Sequence, residues 1–186
     1  MRWVMFRKPR PLTTIGAICT CLCLCLGPAR AAPPQLTIVP QSDLRFGSFA
    51  VMGSGYRIVS PSGAVQDSGI FSTTTGDTGP AQFIVAYDRA NNSKRALNLQ
   101  IQLTFLPPQT VQVGGVTANL SAYQSDIPGA SQIVPGQIVE INIPNCAARV
   151  CQTTFRMGGR LDVDRTSGGA SVAIPIPVDA LLVSVK

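Results

Sequence analysis

Residues Leu97–Phe105 read Leu-Asn-Leu-Gln-Ile-Gln-Leu-Thr-Phe. Leu97, Leu99, Ile101, Leu103 and Phe105 point one way; Asn98, Gln100, Gln102 and Thr104 point the other. A period of two belongs to an extended strand, whose successive side chains leave opposite faces. One dry and one wet face is what an antiparallel sheet needs when it covers a core on one side only. The stretch predicts such a strand, and Pro107-Pro108 ends it.

Downstream, Val111 and Val113, then Gly114-Gly115, then Val116 to Tyr123 predict a hairpin, because a two-glycine turn supplies the positive φ that tight hairpins require. Asp126-Ile127-Pro128-Gly129 predicts a further turn, and residues 137–143 another strand. Upstream, residues 81–87 and 64–71 read as strands, with a turn at Pro61-Ser62-Gly63 and a polar loop over 73–80. Leu44-Arg45-Phe46-Gly47-Ser48-Phe49 alternates as a half-buried strand; Gly53 to Gly55 then turns the chain into Tyr56-Arg57-Ile58-Val59. A short apolar stretch, Leu36-Thr37-Ile38-Val39, ends at Pro40. Near the end, Val172, Ile174, Ile176 and Val178 alternate with Ala173, Pro175, Pro177 and Asp179. Prolines two apart remove donors along one edge and predict an edge strand or exposed margin. The apolar phase then slips to Leu181, Val183 and Val185, so a bulge or change of sheet is expected near residues 179–181. About ten short strands without a repeat predict a single antiparallel sandwich or barrel.

The opening residues have another origin. A basic start (Arg2, Arg7, Lys8, Arg10), an apolar run over residues 12–26, and Ala29-Arg30-Ala31 have the layout of a secretory signal cut after Ala31. The expected organisation is a signal peptide at 1–31, an extended leader with a short first strand at 32–43, and a β-sandwich domain at 44–186. Cys19, Cys21, Cys23 and Cys25 fall in the apolar run and count as small hydrophobes. Of 15 basic residues five lie in the signal, so the net charge of +6 falls to +1 once it is removed. That balance gives no support to nucleic-acid binding, which needs clustered Lys and Arg. The remainder is poor in Lys and Glu and rich in strand and turn formers. Export predicts a periplasmic, cell-surface or extracellular protein that meets a membrane only through its signal.

From residue 36 to 186 the chain resembles a bacterial exported family known as domain of unknown function 4402. The carrying motifs are Leu44-Arg45-Phe46-Gly47, Pro80-Ala81-Gln82-Phe83 and Gly158-Gly159-Arg160-Leu161, in that order. The resemblance implies an immunoglobulin-like antiparallel β-sandwich, here of about 8–10 strands, related to fimbrial and spore-coat-U-like subunits, with no established enzymatic activity. The Cys146/Cys151 pair departs from that pattern, as does a carboxyl end, Val183-Ser184-Val185-Lys186, without an aromatic residue.

Cys146 and Cys151 enclose four residues. In an oxidising compartment a disulfide is the default, worth about 2 kcal/mol on the chain-entropy model. Such a short bridge is expected to pin a turn rather than to join two sheets. Asp162 and Asp164, at i and i+2, should share the wet face with Arg160 and Arg165 nearby to offset their charge. The absence of histidine removes Ser-His-Asp and Cys-His machinery and the usual zinc sites. Lys94 and Lys186 are poorly placed for a desolvated base, and no phosphate-binding glycine motif is present. No catalytic, cofactor or metal residue is therefore expected. The leading expectation is a non-enzymatic structural or adhesive surface subunit, with a monomeric binding module as the alternative. Strand addition seats alternate side chains in pockets, which makes Leu36, Ile38 and Leu44 candidates for an exchanged arm. The opposing expectation is that residues 36–39 pair within their own sheet.

Overall fold

The computed structural model describes residues 32–73, 76–108, 110–165 and 168–186, with the side chain of Arg165 excepted; the expected signal peptide lies outside them. The first strands are β1 (Gln35–Ser42), β2 (Leu44–Val59), β3 (Val65–Ser72), β4 (Thr78–Gly79), β5 (Ala81–Asp88) and β6 (Leu97–Phe105). They are followed by β7 (Val111–Val113), β8 (Val116–Ser125), β9 (Gln132–Ile133), β10 (Ile138–Cys146), β11 (Val150–Arg165), β12 (Gly169–Ile174) and β13 (Val178–Val185). No helix occurs among the described residues. The thirteen strands among the described residues exceed the eight to ten expected because β4, β7 and β9 are two- or three-residue pairings at turns.

All pairings are antiparallel and form two sheets. The small sheet runs β10-β6-β13; the large one runs β1-β5-β11-β2-β12, with β3 and β4 on β2 and β8 on β11. β6 is the centre of the small sheet. Its odd-numbered side chains from Leu99 to Phe105 are buried, as the period of two requires. Phe105 meets the Phe155 ring of β11 edge-on, with centroids 6.1 Å apart, and Phe155 stacks on Phe83 of β5 at 5.1 Å. These rings join the inner faces of both sheets, and burying each stabilises the fold by about 1.5–3 kcal/mol.

The two long strands hold the large sheet together. β2 is bulged at Phe46: Val172 stands opposite Gly47 and Ala173 opposite Arg45, leaving Phe46 as the extra residue. Gly47 takes φ +67°, and a Cβ there would lie 2.9 Å from Thr78 Cγ2. The bulge re-aims the following side chains, so Leu44 and Phe46 and then Phe49 and Val51 all reach the core. The expected break at residues 53–55 is not made. β2 continues through it, and only its register with β3 shifts between Val51 and Tyr56, because Gly55 and Gly69 let the two backbones approach closely. Gly114 and Gly115, at φ +60° and +76°, make the hairpin joining β7 and β8.

The carboxyl-terminal expectation needs correction in detail. The chain leaves the large sheet after Ile174 and enters the small one at Val178, so Pro175 and Pro177 sit in the crossover itself. β12 is an edge strand, but both prolines lie beyond it, so they do not set that edge. The apolar slip is not turned inward: Leu181 and Val183 stay exposed while Ala180 and Leu182 pack on the core. A bulge does occur, but later, between Leu182 and Ser184.

Candidate functional site

The arm candidates do not form one unit. Leu36 and Ile38 are half-buried on β1, opposite Tyr87 and Val85 of β5. Leu44 is fully buried at the start of β2 opposite Ile174, so it belongs to the core and cannot move with β1. β1 therefore pairs within its own sheet here, and runs past Pro40 to Ser42 with a register shift that absorbs the proline. It forms one margin of the large sheet, and β13 approaches it from the small sheet without entering its ladder. Among the described residues β13 is bonded only to β6, and it leaves Leu181 65% exposed, Val183 46% and Val185 42%. Exposed apolar side chains on a strand with one unpaired edge are unusual, because such an edge is a template for another strand.

On the opposite margin, Cys146 and Cys151 form a disulfide with Cα atoms 5.8 Å apart. The pair does more than pin a turn. Cys146 ends β10 in the small sheet and Cys151 lies on β11 in the large sheet, so the bridge ties the two layers. The expectation that it would not join sheets fails because the turn between these strands is itself the crossover between layers. Arg89, almost fully buried, fastens the same corner: Nη2 donates to the Cys146 carbonyl at 2.5 Å, and Nη1 to the carbonyls of Ser93 and Arg95 at 2.5 and 2.9 Å. At the neighbouring surface, the Ala90 N–H and then Arg149 hold the Asp88 carboxyl below the usual carboxylate range.

Below the disulfide the two strands part. A cleft of about 370 Å³ opens between residues 140–142 of β10 and 153–155 of β11, closed at its far end by the turn carrying Asp126, Ile127 and Pro128. Glu140 stands at its rim, accepting hydrogen bonds from the side-chain amides of Gln100 at 3.0 Å and Gln102 at 3.2 Å. A second hollow, about 600 Å³, lies where the Pro175–Pro177 crossover meets Leu106, Pro107 and Pro108.

Asp162 and Asp164 lie on the outward face of β11. Asp162 is paired with Arg160 at 2.9 Å, and that guanidinium sits 4.0 Å over the Tyr56 ring. No group of three or more His, Cys, Asp or Glu residues suited to a metal occurs among the described residues.

Two buried arginines, Arg57 and Arg89, were not singled out from the sequence. For Arg57 alternation gives no signal, because Tyr56 and Ile58 are apolar at one parity and Val59 at the other; its burial beside Val59 follows from the packing.

No curated protein and no solved structure matches the chain. A family model does match, over residues 36–179. By that match, which spans both sheets from β1 to the start of β13, the chain belongs to the family described as domain of unknown function, DUF4402.

Proposed function

We propose that this chain is an exported, non-enzymatic structural or adhesive surface subunit that associates with further copies by strand addition at its unpaired sheet margins. The observation that carries the reading is β13: among the described residues it is bonded on one side only, with Leu181, Val183 and Val185 left exposed. The layout of residues 1–31 supports export. The lack of histidine, and a lone glutamate engaged by two glutamine amides, support a role without catalysis. β1, which lies alongside β13, is the segment most readily exchanged, with Leu36 and Ile38 as its pocket-filling residues.

The second reading, a monomeric binding module, is favoured by the proline-lined hollow beside residues 175–177. Native mass by light scattering on the exported protein separates the two. Oligomers that vanish in Leu181→Lys, and on removal of residues 32–42, support the assembling subunit. A monomer in every form, with truncation merely lowering stability, overturns it and favours the binding module.

A further inference from the structure

We infer that the seam between β10 and the first half of β11 is an acceptor site for a short extended peptide segment carrying a basic residue. The inference rests on the reading of the protein as an assembling subunit, and names the chemistry of what one of its margins takes.

Consider which backbone groups lack a partner. Among the described residues β10 is paired only with β6, and residues 150–155 of β11 only with β5. At Arg156 the free side ends: its N–H donates to Asp126 Oδ1 at 2.7 Å, and its carbonyl accepts from the Asp126 N–H at 3.2 Å. Both backbone groups of Arg156 thus face the seam. Alternation along an antiparallel strand turns those of Thr154 and Gln152 the same way, while Thr153 and Phe155 face β5. The strand edges flank a cleft of about 370 Å³ floored by Ile127, Ile141 and Phe155. The disulfide closes one end and the Asp126–Arg156 pairing the other, which leaves room for about four extended residues.

Only another backbone offers donors and acceptors at the spacing these edges require. Charge selects further. The ionisable groups lining the cleft are two carboxylates, Asp126 and Glu140. Glu140 is held by neutral amides, so its charge is not cancelled by a cation. A Lys or Arg in the incoming segment supplies what is missing.

The test uses the exported protein and a fluorescein-labelled pentapeptide, acetyl-Val-Thr-Lys-Val-Thr-amide, followed by fluorescence anisotropy. Two control peptides replace Lys by Glu or methylate the backbone nitrogens. The protein variants are Thr154→Pro, which removes a seam-facing donor without touching the ladder to β5, and Glu140→Gln. Saturable binding is expected, weakened at least about tenfold by each control peptide and each variant, with slowed amide exchange at residue 154. Equal binding of the methylated peptide, or no saturable binding, overturns the inference. If Thr154→Pro does not fold, the methylated peptide and Glu140→Gln decide. Native mass keeps the two readings apart. A Leu181→Lys effect on oligomers without peptide binding sinks the seam alone, whereas peptide binding to a protein that is always monomeric sinks self-association alone.

Discussion

Arg57 of β2 and Asp67 of β3 form a two-pronged ion pair in the large sheet, Nε to Oδ1 at 2.6 Å and Nη2 to Oδ2 at 2.8 Å. Arg57 is completely buried, and its remaining donors reach the Phe46 carbonyl at 2.6 Å and Ser72 Oγ at 2.5 Å. The guanidinium also lies 5.3 Å from the Phe49 ring centroid. Since Phe46 is the bulged residue of β2, the arginine fastens the bulge to β3. Removing one partner of a buried pair leaves a charge without compensation, which costs far more than removing both. Asp67→Ala is expected to lower stability by about 3 kcal/mol, and the double replacement Arg57→Met with Asp67→Leu by clearly less. Urea midpoints at unchanged m-value measure both. A single variant no worse than the double would show that water replaces the carboxylate through its partly exposed side.

The Cys146–Cys151 bridge makes a different prediction. Because it joins β10 to β11 across the crossover, its loss frees the seam end of both sheets. The loop is short, so the unfolded state gains little entropy: Cys146→Ser with Cys151→Ser should cost about 2 kcal/mol, or a fall in Tm of about 4–8 °C for a chain of this size. Calorimetry with and without reductant checks it. The reduced wild type should match the double variant, and reductant should leave the variant unchanged.

Gly158 and Gly159 lie where β11 passes from β5 to β2 while β8 runs along its other side. A Cβ on Gly158 would collide with the Val59 carbonyl oxygen and approach Ser60 C to 2.7 Å; one on Gly159 would lie 2.7 Å from Leu120 Cδ1 and 2.8 Å from the Ala122 carbonyl oxygen. The contacts at 158 are backbone, which cannot step aside. Gly158→Ala is therefore expected to destabilise by about 1–3 kcal/mol, and Gly159→Ala by less, since only one of its three nearest atoms, the Ala122 carbonyl oxygen, is backbone and the Leu120 side chain can rotate. Chemical denaturation of the two variants side by side measures the difference. Equal costs would place the constraint in the strand crossing as a whole.

How legible this was depended on whether the physics was local. Alternation locates β6, the two-glycine turn locates β8, and glycine and proline locate the turns, because those signals involve residues a few positions apart. The bulge at Phe46 shows in the sequence as the shift of the apolar phase from Phe46 to Phe49, but glycine passes for a small residue on either face and the stretch therefore matches simple alternation. The Arg57–Asp67 pair followed from the turn at residues 60–64, which puts Arg57 opposite Asp67, but only once the register is known. The disulfide was legible and its role was not, since nothing local says that the strands on either side enter different sheets. The β10–β11 seam was wholly non-local, arising from which strand edges remain unpaired.

Tyr123 supplies a prediction for alkaline pH. Its ring packs on Phe105 and its hydroxyl donates to the Leu106 carbonyl at 3.0 Å, joining β8 to the end of β6. Burial pushes its pKa up to about 12 from an ordinary value near 10. The neutral phenol is thus favoured in the folded chain, while the unfolded chain ionises earlier. The stabilisation is fully present below pH about 10, and declines as pH rises through the folded value near 12. Stability should fall across that window, with one tyrosine ionising last in an absorbance titration. Tyr123→Phe should cost about 1 kcal/mol at neutral pH by leaving the carbonyl without its donor, and should remove Tyr123's share of the alkaline decline. An undiminished decline in Tyr123→Phe would assign it to other groups, and a Tyr123 that ionises with the rest would mean that the packing against Phe105 opens before the fold does.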